Sequence, residues 1–265
     1  MSAALTYDGA LARVRLSAPV PAAAAYATVD RTTNGVQWTV VRGAGRLTPA
    51  GATVTVDDYE FPPGQATTYR VRAYNSGGVL LATDTAAITA AIDRVWFKNV
   101  TRPFLNRPVT VVNRPEIGRK SRAGVFPVLG RSLPIVVSEL RGPSQWTLQL
   151  RTSSAAESRL VELLLASGDV LYLQVPPAYD DVPGGYVHVG DVVWRRLSPL
   201  PQDRRYVWTL PMTAVAAPGP DVVGATVTWE TLLASFGSWA AIGAAFGSWA
   251  EVLEYVSDPE VVIVP

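Results

Sequence analysis

Short runs of alternating apolar and polar side chains fill the first third of the chain. Leu11–Leu16, Tyr26–Arg31, Val36–Val41, Thr53–Val56, Thr68–Tyr74 and Val79–Ile88 each read as a strand. Successive strand side chains point to opposite faces, so such runs place one apolar row on a core. In Thr68–Tyr74 that row is Tyr69, Val71 and Ala73. Asn34-Gly35 sits between two runs and predicts a tight type I′ hairpin, because both central residues of that turn take positive φ. Pro62-Pro63-Gly64 and Asn75-Ser76-Gly77-Gly78 mark further turns. Short strands at regular turn spacing, with no helical period, predict a β-sandwich over residues 1–92.

The pattern continues over residues 93–217 with one interruption. Arg94–Phe97, Val109–Val112, Gly124–Val128, Leu133–Val137 and Gln145–Arg151 read as strands. Val170–Val175, Tyr186–Val189, Val192–Leu197 and Tyr206–Thr213 resume after a helix expected at residues 155–167. Ser154-Ala155-Ala156-Glu157 is a capping-box sequence, in which serine and glutamate satisfy first-turn amides. Leu160, Val161, Leu163, Leu164 and Leu165 supply an apolar face, and Gly168 fits the stop. The expectation is a mainly β, α+β region whose leucines anchor the helix to a sheet.

A different period governs residues 225–256: Trp229, Trp239 and Trp249 recur every ten residues. Phe236-Gly237-Ser238 and Phe246-Gly247-Ser248 separate them, so each unit reads as a helical turn or two with serine as the N-cap. A unit that short cannot bury its own aromatics. The units either fold on one another as a small cap or dock on another surface. Residues 257–265 form a β-prone tail in which Val261, Val262 and Ile263 suit addition to a sheet edge.

Composition narrows the chemistry. Cysteine is absent, which excludes disulfides, thiolate metal sites and thiol nucleophiles. Net charge is +1 with scattered arginines, so nucleic-acid binding is not expected. Arg195-Arg196 and Arg204-Arg205 read as solvated faces or salt bridges. No apolar stretch is long enough for a membrane span, and the N-terminus has no basic region before an apolar core, so neither membrane insertion nor a signal peptide is expected. Charged residues make up 17% of the chain against about 25% in a typical soluble domain. That shortfall points to surface covered by partners.

Chemistry-bearing clusters are few. Asp57-Asp58 admits a calcium reading, but two carboxylates fall short of the six or more oxygens such a site needs; loop-end acids in a turn is the simpler reading. Tyr179, Asp180, Asp181 and His188 form the one group resembling an active site. A hydrolase built on it would lack a second histidine and a nucleophile elbow. The chain is expected to be no enzyme and to need no cofactor or metal. Exposed aromatics could instead stack on sugars, with Trp96, Trp194 and Tyr186 as candidates.

Three resemblances bear on function. Pro63-Gly64, Tyr69-Arg70-Val71-Arg72-Ala73 and Asn75-Ser76-Gly77 resemble the fibronectin type III signature, although Trp38 does not match that family's early-strand tryptophan. Phe126–Val137, Trp146–Thr152 with the capped helix, Gly190–Trp194 and Trp208–Val215 resemble distal-tail or tail-hub proteins of long-tailed phages. The tryptophan repeat looks like the C-terminal segments of minor tail proteins from phages of high-GC actinobacteria. These resemblances imply a structural virion component, made in the host cytoplasm and placed in the tail. It would form a homo-oligomeric ring, a hexamer or trimer, and dock other tail proteins. Its expected partner-binding residues are Trp229, Phe236, Trp239, Phe246, Trp249, Val261, Val262 and Ile263. The alternative is a module that binds host-surface glycans.

Overall fold

The computed structural model describes residues 2–130, 132–138, 140–200, 202–219 and 238–245. Residues 1–222 form one compact unit and residues 223–265 a second. The described chain is mainly β.

Seven strands build the N-terminal part: β1 Ala4–Asp8, β2 Arg13–Pro19, β3 Tyr26–Thr32, β4 Thr39–Val40, β5 Thr53–Asp58, β6 Ala66–Tyr74 and β7 Leu80–Thr89. They form a three-stranded sheet, β1-β2-β5, and a four-stranded sheet, β4-β3-β6-β7. The apolar rows of both sheets share one core. Val14, Leu16 and Val54 come from the first sheet, and Ala27, Val29, Tyr69, Val71 and Ala73 from the second. The row expected on β6 is thus the buried one.

Asn34-Gly35 does not make the tight hairpin predicted for it. β3 and β4 pair Asp30↔Val40 and Arg31↔Thr39, which leaves a wide loop between them. Asn34 Oδ1 accepts hydrogen bonds from the amides of Val36 and Gln37, so the side chain itself organises the turn. Gly35 keeps the positive φ, at 73°.

The next strands are β8 Val95–Asn99, β9 Arg107–Val111, β10 Gly118–Arg119, β11 Ala123–Phe126, β12 Ile135–Ser138 and β13 Ser144–Thr152. After helix α1, Ala155–Ala166, come β14 Leu171–Gln174, β15 Gly185–Val189, β16 Val193–Arg196 and β17 Tyr206–Ala214. Six of these close a barrel in the order β13-β9-β8-β14-β15-β17, with every neighbouring pair antiparallel. Closure is made by β13 against β17, from Gln145↔Thr213 to Thr152↔Tyr206. Trp146, Leu148 and Leu150 of β13 and Trp208, Leu210 and Met212 of β17 fill the interior, as side chains do in small barrels. β10 extends β13 and β16 extends β17 outside the ring.

Helix α1 begins as its sequence requires. Ser154 Oγ accepts from the Glu157 amide at 3.1 Å. Glu157 reaches Ser153 rather than Ser154, accepting from its amide and hydroxyl. Gly168 closes the helix at φ 66°. Only Val161 and Leu164 of the expected apolar face are buried, while Leu160 and Leu163 are exposed. The anchor is therefore narrower than five leucine and valine positions suggest, because α1 lies against the end of the barrel with one stripe only.

In the second unit, helix α2 spans Trp239–Ala245. Ser238 Oγ accepts from the Ala241 amide, which is the serine N-cap predicted for the repeat.

Candidate functional site

All five residues of β8 are buried, which a strand with one wet face cannot do. The reason is that β8 serves two cores. Val95 and Phe97 point into the barrel, and Trp96 packs with the sandwich. Lys98 shares the side of Trp96 and is 1% exposed. Its Nζ donates to the carbonyls of Ala12 at 2.5 Å and Tyr59 at 2.6 Å. The rings of Phe61 and Trp96 lie 5.2 and 5.9 Å away. Burial pulls the Lys98 amine down to about 7, against the opposing pull of Asp58 and Glu60. Ala12, whose carbonyl it binds, is one of two non-glycine residues with positive φ among those described, at 46°.

A polar seam continues from Lys98 across the junction. Tyr186 of β15 donates to Glu60 at 2.7 Å, and Arg42 pairs with Glu60 at 2.7 Å. Burial, then the Glu60 charge, raises the Tyr186 phenol above its ordinary range. Gln174 of β14 donates to the Phe61 carbonyl at 2.6 Å. Gly64, with φ 74°, lies so close to Pro177 that a Cβ would stand 2.8 Å from its ring. The sandwich and barrel are thereby joined by backbone-level contacts rather than by a linker.

Asp57 and Asp58 are spent on ion pairs. Asp57 takes Arg13 at 2.7 Å and Arg15 at 2.8 Å. Asp58 takes Arg31, the Tyr69 hydroxyl at 2.8 Å and the Glu60 amide. Asp30 binds Arg70 and Arg72 in the same way. No three His, Asp or Glu side chains among the described residues cluster closely enough to hold a metal ion. Asp181 pairs with Arg114 at 2.8 Å, while His188 points outward from the barrel beside buried Val187. Arg205 pairs with Asp203, as read for that arginine pair.

β11 and β12 leave the barrel altogether. They pair only with each other, from Ala123↔Ser138 to Phe126↔Ile135. Below them the Gly142 amide bonds the Lys120 carbonyl, and β10 pairs with β13 at Arg119↔Ser144. The result is one two-stranded arm about 25 Å long from Gly118 to Phe126, at ~3.3 Å per residue. Phe126 and Ile135 share one face and Val125 and Val136 the other, yet all four are exposed. Val137, Leu133 and Leu140 are exposed as well, and Leu129 wholly so. The strands here were expected inside the domain; they lie outside because no third strand adjoins them.

At the root of the arm an open cleft of about 790 Å3 enters the barrel wall. Ile117, Gln145, Thr147 and Pro211 line it. Asn113 closes the gap between β9 and β10 on that wall. Its Nδ2 donates to the Thr147 carbonyl at 2.9 Å and its Oδ1 accepts from the Gln149 amide at 2.6 Å.

Of the sugar-stacking candidates, Trp96 is buried and Tyr186 is half-buried in the junction. Trp194 is 52% exposed, on an edge strand with Tyr206 and Trp208 beside it. Trp239 is half exposed at the start of α2. Trp229, Phe236, Phe246, Trp249, Val261, Val262 and Ile263 lie outside the described residues. No helix among the described residues is long and apolar enough to cross a membrane. The sequence missed the arm as a separate element and Lys98 as a junction residue. A lone lysine between Phe97 and Asn99 in an apolar strand was the available signal for the latter.

No family model matches the chain. No curated protein matches it.

Proposed function

We propose that this chain is a structural component of a phage tail, a minor tail or distal-tail protein that assembles with copies of itself into a ring and docks neighbouring tail proteins. The observation that carries the reading is the β11–β12 arm, which exposes apolar side chains on both faces. A free two-stranded hairpin is marginal in water, and large exposed apolar patches mark interaction surfaces. The barrel supplies a stiff body for such an arm. The sandwich, read as a fibronectin type III-like spacer, is held to that body by the Lys98 seam. The tryptophan repeat and C-terminal tail would add further contacts to neighbours.

Native mass spectrometry and electron microscopy of the purified chain test the proposal. A closed ring of several copies is the expected result. A monomer at every concentration would remove the reading.

Exposed Trp194 favours a second reading, binding of host-surface glycans by stacking. Glycan-array binding by the isolated chain that disappears with Trp194→Ala would support it.

A further inference from the structure

We infer that the outer half of the arm docks on an anionic lipid surface. Its apolar tip lies among the headgroups and upper acyl chains, and a collar of basic residues behind the tip meets the lipid phosphates. The inference goes beyond the assembly reading: it gives the arm a lipid partner and leaves contacts between copies to the rest of the subunit.

Two zones follow one another along the arm. Residues 124–137 are apolar apart from Arg131 and Ser132. Val125, Phe126, Ile135, Val136 and Val137 are exposed there, Leu133 and Leu129 still more so. Behind them Arg119, Lys120, Arg122 and Arg141 are exposed, and none has an ion-pair partner among the described residues. Residues 118–142 hold five basic side chains and one acidic, Glu139, a net +4 in a chain of +1.

Charge and shape together select lipid. A strand pair with both faces apolar is covered by a medium that surrounds it, whereas a groove covers one face. Pro127 and Pro134 flank the paired residues and offer no N–H to a further strand. A second copy's arm brings the same positive collar and is repelled. An anionic bilayer supplies a fluid apolar phase under a negative surface, and each basic residue near that surface strengthens binding. Dimensions agree. Arg122 lies four residues behind Phe126, about 13 Å along an extended chain, and interfacial segments sink about 5–10 Å. An arginine within the tip can turn its guanidinium back to the phosphates. The arm does not span. β11 and β12 have four residues each, against about 9–11 in a spanning strand. Their outer edges have no strand partner among the described residues, which hydrocarbon does not tolerate.

The full chain is floated with vesicles of phosphatidylglycerol and phosphatidylcholine in equal parts, and with vesicles of phosphatidylcholine alone. Flotation with the first and not the second is expected, weakening as salt rises from about 50 to about 500 mM. Lys120→Gln with Arg122→Gln and Arg141→Gln should weaken it about 100-fold, roughly fivefold per charge. Leu129→Asp with Leu133→Asp should weaken it about 10- to 100-fold or more. Both variants change exposed side chains outside the barrel, so circular dichroism should match the parent's. The chain has no cysteine, so Leu129→Cys carries a single environment-sensitive dye. Its emission should shift to the blue on the anionic vesicles alone. A dye that stays in water, or a Leu129/Leu133 variant that floats like the parent, overturns the inference. So does a parent that ignores both vesicles; if it then binds polyglutamate through the arm, an acidic protein is the partner instead. Native mass spectrometry of the same samples reads assembly separately. A parent that floats as a monomer keeps the inference and removes the ring. A ring lost in the Leu129/Leu133 variant of a parent that does not float assigns the arm to neighbouring copies and removes the inference.

Discussion

Lys98 has two backbone carbonyls within reach and is shielded from solvent. A neutral amine still donates two N–H bonds, so both carbonyls stay satisfied when the proton is lost. The folded state holds the amine at about 7 against an ordinary 10.5. Below about 7 the amine is charged in both states, and the full cost of burying it is present. Between 7 and 10.5 the unfolded chain binds more protons, so stability rises with pH across that window. The gain is on the order of a few kcal/mol. Buried phenols such as Tyr69 and Tyr186, raised by burial, oppose it only above about 10. Urea titrations at a series of pH values should show the rise between 7 and 9, and Lys98→Met should flatten it. Equal slopes in both proteins would rule out Lys98 as the source.

At the scale of elements, the barrel wall has a gap between β9 and β10, spanned by Asn113. Its amide stands in for a missing peptide group, donating to Thr147 and accepting from Gln149. Asn113→Leu keeps the volume and deletes both bonds, at a cost of about 1–3 kcal/mol. Hydrogen exchange should then quicken at the Gln149 amide more than at Leu148, which faces β17. Uniform protection in both proteins would show the gap to be closed by something other than Asn113. The arm shows the same dependence on neighbours. Gly124 leaves room for the Phe126 ring, which a Cβ there would meet at 2.7 Å, and this is one of the few supports the hairpin has of its own. Alternation identified β11 and β12 as strands, but alternation describes a strand and not its partners. Their placement outside the barrel follows from β13, which has already spent its two edges on β17 and on β9 with β10.

Across the whole of residues 1–222, two cores are coupled through one strand. Because Trp96 and Lys98 belong to the sandwich side while Val95 and Phe97 belong to the barrel, neither core can open without exposing β8. Calorimetry of the chain should therefore give one transition for sandwich and barrel together, with calorimetric and van't Hoff enthalpies in agreement. Two resolved transitions for these residues would contradict the coupling. A stiff body of this kind suits the proposed role, since an arm transmits its docking geometry only as well as its base is held.

Most strands, the α1 start at Ser154, its stop at Gly168 and the Ser238 cap of α2 were legible in the sequence. Side-chain period, capping and glycine φ act over a few residues, so local order suffices to express them. Closure of the barrel by β13 and β17, the double duty of β8, the burial of Lys98 and the isolation of the arm were decided by the tertiary structure. Each depends on which distant segment arrives as neighbour. The free energy involved lies in excluded water and in backbone groups far apart in sequence, and neither leaves a local period to read.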